Sequence, residues 1–210
     1  ARQYAKNPDH GYAHDFVSKV MRDALPEISL QGLKVVSNAG GVNPISCGKA
    51  LEGLIDELGL NLSVAVVTGD DLMYRVDQLR KAGVTEMFSG AKMPSKFMSM
   101  NAYLGGFPVA EALAKGADIV ITGRGVDSAV TLGPCIYEFG WKPEDYDKLA
   151  GGSLAGHIIE CGAQSTGGLF TDWELSEDWD KIGYPIVEVE ESVDFVVGKP
   201  KGTGGIVCSG

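Results

Sequence analysis

The chain has 210 residues, 44% of them hydrophobic, and a formal net charge of -10. That length fits one large domain or one and a half, with enough apolar content for a sizeable core. The acidic balance and the lack of any basic run exclude a nucleic-acid surface, and the longest apolar stretches are too short to cross a bilayer.

Taken in order, residues 4–12 read as a polar, turn-rich lead. A helix is predicted over residues 15–25, with Phe16, Val20 and Leu25 inward and Pro26 as its stop. Residues 33–36 form a short β-branched run that predicts a buried strand, leading into Ser37-Asn38-Ala39-Gly40-Gly41-Val42-Asn43-Pro44. Pro44 suits the first turn of a helix over residues 45–58. A second strand, residues 62–67, runs into Thr68-Gly69-Asp70-Asp71 and then a helix over 72–81, closed by Gly83. The Met- and Ser-bearing residues around Pro94, within 84–100, suggest a loop or lid. Asn101-Ala102-Tyr103-Leu104-Gly105-Gly106 follows, then a helix over 108–115 and the clearest strand, residues 117–121. That strand leads into Thr122-Gly123-Arg124-Gly125-Val126-Asp127-Ser128 and a helix to 132, which Gly133-Pro134 is expected to break before a second helix to 139.

Three strands are thus each followed by a Gly-bearing turn with Asn, Asp or Arg, and then by a helix. In an open parallel sheet such turns gather at the carboxyl ends of the strands, where ligands bind. The expected fold is α/β over residues 1–168, a mostly parallel Rossmann-like sheet with Gly-rich strand–helix turns. A smaller α+β segment is expected over 169–210. Within it residues 173–179 are acidic, 185–189 and 193–197 read as a hairpin, and Gly202-Thr203-Gly204-Gly205 leads into a last apolar run.

The densest chemistry lies between Gly152 and Gly168. Ser153 reads as an N-cap and Gly162 as the left-handed residue that ends the helix. His157 and Cys161, four apart, share a face, and Glu160 is close enough to orient the imidazole. These three are the candidate catalytic residues. Cys161 has a plainer reading as a small core residue beside Ile158 and Ile159. Gln164 and Thr166, in the polar turn that follows, are candidate substrate contacts.

Arg124 is the candidate anion binder, because a guanidinium beside a Gly turn and a helix N-terminus adds a bidentate fork to free N–H groups. Its alternative is an ion pair with Asp127 that closes the turn. Asp70 and Asp71 directly follow a strand, and one of them is expected to cap the next helix. Asn38, Asn43 and Asn101 offer neutral hydrogen bonds, Gly40 and Gly41 allow close backbone approach, and Asp127 and Ser128 complete the turn after the third strand.

No Gly-x-Gly-x-x-Gly follows the first strand, and neither a Walker A sequence nor a Gly-x-Ser-x-Gly elbow occurs. Nicotinamide, ATP and α/β-hydrolase chemistry are therefore poorly supported. The four cysteines, Cys47, Cys135, Cys161 and Cys208, are widely spaced without a Cys-x-x-Cys, which argues against a zinc knuckle or dithiol pair. A reducing, cytoplasmic setting is expected.

Eight motifs occur in order: Ser-Asn-Ala-Gly-Gly-x-Asn-Pro, Gly-Asp-Asp, Asn-Ala-Tyr-Leu-Gly, Thr-Gly-Arg-x-x-Asp-Ser-Ala, Glu-Phe-Gly-Trp, Gly-His-x-x-Glu-Cys-Gly-Ala-Gln-x-Thr-Gly-Gly, Gly-Tyr-Pro and Gly-Thr-Gly-Gly. Together they resemble the acyclic terpene utilisation AtuA family over nearly the whole chain. The resemblance implies a place in the degradation of geraniol- and citronellol-type terpenoids through coenzyme A thioesters. It also implies a longer protein, with a Gly-rich strand-turn before residue 1 and more chain after residue 210. Relatives of this kind are fused to, or encoded beside, parts of biotin-dependent acyl-CoA carboxylases or a small companion domain. The resemblance carries no catalytic residues over.

The expectation is an enzyme that takes a small carboxylate or acyl-CoA through proton abstraction and return, as in hydration or isomerisation. Its alternative is a non-catalytic thioester-binding subunit of an acyl-CoA carboxylase assembly. A variant of the first uses a divalent metal held by His157 and Glu160 with Asp70 or Asp127. A homo-oligomer without nucleic-acid or membrane partners is expected. Arg124, Asn38, Asp70 and the His157–Cys161 face are expected to converge on one cleft.

Overall fold

The computed structural model describes residues 2–208. The chain divides into two compact units, Ala1–Val126 and Asp127–Gly210. The sequence reading placed its division after residue 168. The helices that follow Val126 pack on one another and on the C-terminal hairpin, which gathers them with the tail.

The first unit begins with α1 (Arg2–Lys6), then a π-helical stretch (Phe16–Met21) that runs directly into α2 (Arg22–Gln31). Pro26 does not stop this helix. It lies on the exposed side, where water can meet the carbonyl that loses its N–H partner. Val17, Met21, Leu25 and Ile28 face the core, while Val20 is exposed. The buried face keeps the expected four-residue spacing but lies one position on from the expected Phe16–Val20 face.

Next come β1 (Val35–Ser37), α3 (Pro44–Glu57), β2 (Val64–Val67), a 3₁₀ turn (Met73–Arg75) with α4 (Val76–Lys81), α5 (Gly106–Ala114) and β3 (Ile119–Thr122). The strands form a parallel sheet in the order β1-β3-β2, with Val36 and Ala65 both opposite Val120. Every residue of β3 is buried, and the edge strands are half-buried. Side chains alternate across β3. Ile119 and Ile121 join Leu51 and Cys47 of α3 on one face, and Val120 joins Val109 and Leu113 of α5 on the other.

The second unit holds α6 (Ala129–Phe139), α7 (Tyr146–Glu160) and the hairpin of β4 (Ile186–Val189) and β5 (Phe195–Gly198). Here α6 runs unbroken through Pro134, because the preceding Gly133 has no Cβ to clash with the proline ring. Seven residues before the expected cap at Ser153, α7 begins at Tyr146. Its early glycines are packing positions: a Cβ on Gly151 would meet the side chain of Val193, and one on Gly152 would lie 2.7 Å from the Trp141 ring.

The whole is a mixed α/β chain with a small parallel sheet and a two-stranded antiparallel sheet. Among the described residues, no helix is long and apolar enough to cross a membrane.

Candidate functional site

In the first unit the turns after all three strands meet at the carboxyl edge of the sheet. Asp70 is their clamp. It is 3% exposed, and its Oδ2 accepts hydrogen bonds from Asn101 Nδ2 at 2.8 Å and from the backbone N–H of Arg124 at 3.0 Å. The Ala102 N–H also donates to the Asp70 carbonyl. One carboxylate therefore fastens the turn after β2, the 100–104 segment and the turn after β3.

Gly123 makes this approach possible, since a Cβ there would lie 2.2 Å from Asp70 Oδ1. Gly40 does the same for the turn after β1: its Cβ would lie 2.4 Å from the Thr122 carbonyl oxygen. Gly41 takes the left-handed conformation at φ 55° and donates its N–H to the Asn38 carbonyl. The Asn38 residue itself is exposed at this edge. Asp71 accepts the Met73 N–H at 2.8 Å, at the entry to the 3₁₀ turn rather than as the cap of a helix.

The Arg124 guanidinium lies over the Tyr103 ring, 5.0 Å from its centroid, and donates to the Tyr103 hydroxyl at 2.7 Å. Its backbone is locked by Asp70, so the side chain leaves a fixed base. Sequence reasoning missed Tyr103 and Gly123. The signal for Tyr103 was available: in an extended segment it falls on the same side as Asn101, two residues earlier.

The second unit holds the other cluster. Cys161 donates its thiol proton to Glu160 Oε1 at 3.2 Å, and the same oxygen lies 4.0 Å from His157 Nδ1. The Glu160 hydrogen bond raises the thiol pKa above its ordinary value, helped by partial burial and by the charges of Glu160 and Asp127. The thiol form of Cys161 is thereby favoured over the thiolate. The His157 side chain is 70% exposed. Gly162, at φ 57°, then turns the chain into a 3₁₀ stretch (Gly162–Thr166).

Other predicted site residues have structural partners. Asn43 caps α3 by accepting the Ser46 N–H, and its amide donates to the Pro8 and His10 carbonyls. Fully buried Thr166 donates to the Gly183 carbonyl at 2.6 Å. Ser128 is buried where α6 begins, against Gly156 of α7. Gln164 and Asp127 are exposed. Arg124 and Asp70 belong to one compact unit, and His157, Glu160 and Cys161 to the other. Among the described residues, no group of three or more His, Cys, Asp or Glu side chains is arranged to hold a metal ion.

No curated protein and no solved structure matches the chain. A family model does, that of the acyclic terpene utilisation family protein AtuA, over residues 1–210. With the whole chain covered, the protein belongs to the acyclic terpene utilisation AtuA family.

Proposed function

We propose that the protein is an enzyme acting on a small carboxylate or an acyl-CoA thioester by proton abstraction and return, in a hydration or an isomerisation. The observation that supports it best is Glu160, whose one oxygen stands between an imidazole and a protonated thiol. His157 serves as the base, since imidazole is the side chain suited to proton transfer near neutral pH. Cys161, held protonated, returns the proton. Arg124 binds the carboxylate or phosphate, and Asn38 with Asn101 and the loop N–H groups steadies the enolate-like oxygen. We read the parallel sheet as the centre of a Rossmann-like domain, and the setting as cytoplasmic.

The test is isotope exchange. The full chain is incubated in deuterated water with a panel of terpenoid and short-chain enoyl and hydroxyacyl thioesters and their free acids. Deuterium should enter beside the carbonyl, at a rate lowered about a hundredfold or more in His157→Gln, the usual weight of a general base. Absence of exchange with every compound would sink the catalytic reading.

The exposure of His157 favours a second reading, a thioester-binding subunit of a biotin-dependent acyl-CoA carboxylase or a partner of a small companion domain. Thermal stabilisation by an acyl-CoA, steady co-elution with the carboxylase and no exchange would support it.

A further inference from the structure

Residues 72–100 depart from the rest of the chain in charge. They hold five cations, Arg75, Arg80, Lys81, Lys92 and Lys96, against two carboxylates, Asp77 and Glu86, in a chain whose net charge is -10. Every residue from 81 to 92 is exposed. The segment is nevertheless built. Thr85 bridges to Lys92, the Glu86 N–H donates to the Ala91 carbonyl, and the Glu86 carboxylate accepts the Phe88 N–H at 3.1 Å. The tip so formed presents Met87 at 83% and Phe88 at 88% exposure. Among the described residues Lys81, Lys92 and Lys96 form no ion pair. Ordered apolar side chains ringed by unpaired cations mark an interaction surface for an acidic, apolar partner.

The second unit carries a surface of that description. From Asp172 to Asp180 there are five carboxylates and no Lys or Arg. Trp173, Leu175 and Trp179 are exposed among them, and only Ser176 is buried. The two indoles are fixed edge to face, 6.4 Å apart, with Trp179 Nε1 donating to the Trp173 carbonyl. Aromatic anchors within a ring of charge are what protein interfaces bury.

We infer that the occupant of the basic arm, residues 72–100, is the acidic aromatic surface, residues 172–180, of a second copy of this chain. Charge complementarity argues for this choice, because the protein supplies both surfaces. In a two-fold dimer each copy gives one arm and receives one, so both contacts close without leaving either surface open to a third copy.

The experiment uses the full chain at low salt, with mass measured by light scattering and affinity by sedimentation. The wild-type chain should dimerise, and less tightly as salt rises. An arm variant, Lys81→Glu, Lys92→Glu and Lys96→Glu, and a surface variant, Glu174→Lys, Glu177→Lys and Asp180→Lys, should each be folded monomers by circular dichroism. Mixed together they should associate, since each reversed surface then meets its complement. Phe88→Ser alone should weaken the wild-type dimer about tenfold, as for an interface anchor. A wild-type monomer overturns the inference, as does a dimer unmoved by either triple variant. So does failure of the mixture to associate, which would place the partner of each surface elsewhere.

Discussion

Asp70 and Cys161 use carboxylate chemistry in opposite ways. Asp70 is a buried anion whose oxygen ties two other loops together, so its removal leaves the Asn101 amide and the Arg124 N–H without an acceptor. Asp70→Ala should lower stability by about 2–3 kcal/mol, the cost of unsatisfied donors to a charged group, measured by urea unfolding. Gly123→Ala should cost about 1–3 kcal/mol at the same place, because its methyl enters the carboxylate. At Cys161 the carboxylate belongs to a neighbour and holds the thiol protonated. The sign follows: folding strengthens proton binding here, so this contribution is full below the ordinary thiol pKa and is lost as pH rises through the raised one. Alkylation of Cys161 by iodoacetamide, followed by mass spectrometry, should therefore rise with pH later than for a free thiol. Glu160→Gln should bring that rise back toward the ordinary range. Asp70 and Arg124 were legible in the sequence from their place just after strands. Tyr103 was legible only through its two-residue spacing from Asn101, a signal that a turn-rich stretch blurs.

Helix α7 shows why glycine misleads a reading of elements. The expected cap at Ser153 sets the helix start just after the Gly151-Gly152 pair. In fact Gly152 and Gly156, four apart, let the helix lie against Trp141 and the backbone of Ser128. A Cβ on Gly156 would stand 2.8 Å from the Ser128 carbonyl oxygen, which cannot rotate away. Gly53, inside α3, has nothing within 4 Å of its added Cβ and is exposed. Gly156→Ala should therefore destabilise by about 1–3 kcal/mol. Gly53→Ala should stabilise by about 0.5–1 kcal/mol, as alanine does in an open helix interior. Opposite shifts in urea midpoint check the pair. Pattern alone cannot separate them, since the difference lies in a neighbour distant in sequence. Proline misled in the same manner at Pro26 and Pro134, where exposure in one case and a preceding glycine in the other allowed the helix to continue.

For the molecule as a whole, the three strand-turn-helix repeats were readable because a buried parallel strand writes itself as a β-branched run before a glycine. The hairpin near the C-terminus was readable from two apolar runs about an acidic turn, and β4 and β5 stand there. The division after Val126 was not, because it depends on which helices choose the tail as their packing partner. Within the arm, residues 84–100 read in the sequence only as a loop or lid after a helix over 72–81, and the charge is hidden in the acidic total. At high salt, where the contact with a second copy is loosened, its exposure makes it the expected site of first cutting by trypsin, after Lys81 or Lys92, while the sheet stays protected. Peptide mapping of a brief digest checks this, and cutting first elsewhere would contradict it.

The half-buried edge strand β2 has a consequence of another kind. Its Ser63 and Val67 carbonyls accept from Ile119 and Gly123, so the backbone groups of Val64 and Val66 face outward, along an open groove of about 420 Å³. Four apolar residues with a free backbone edge form a template on which another strand can grow, the first step of aggregation. The net charge of -10 keeps such edges apart by self-repulsion. Added salt removes that repulsion while it loosens the contact between basic arm and acidic surface. Reversible pairing and irreversible clumping should thus answer salt in opposite directions, and low ionic strength is the condition under which this protein keeps longest in solution.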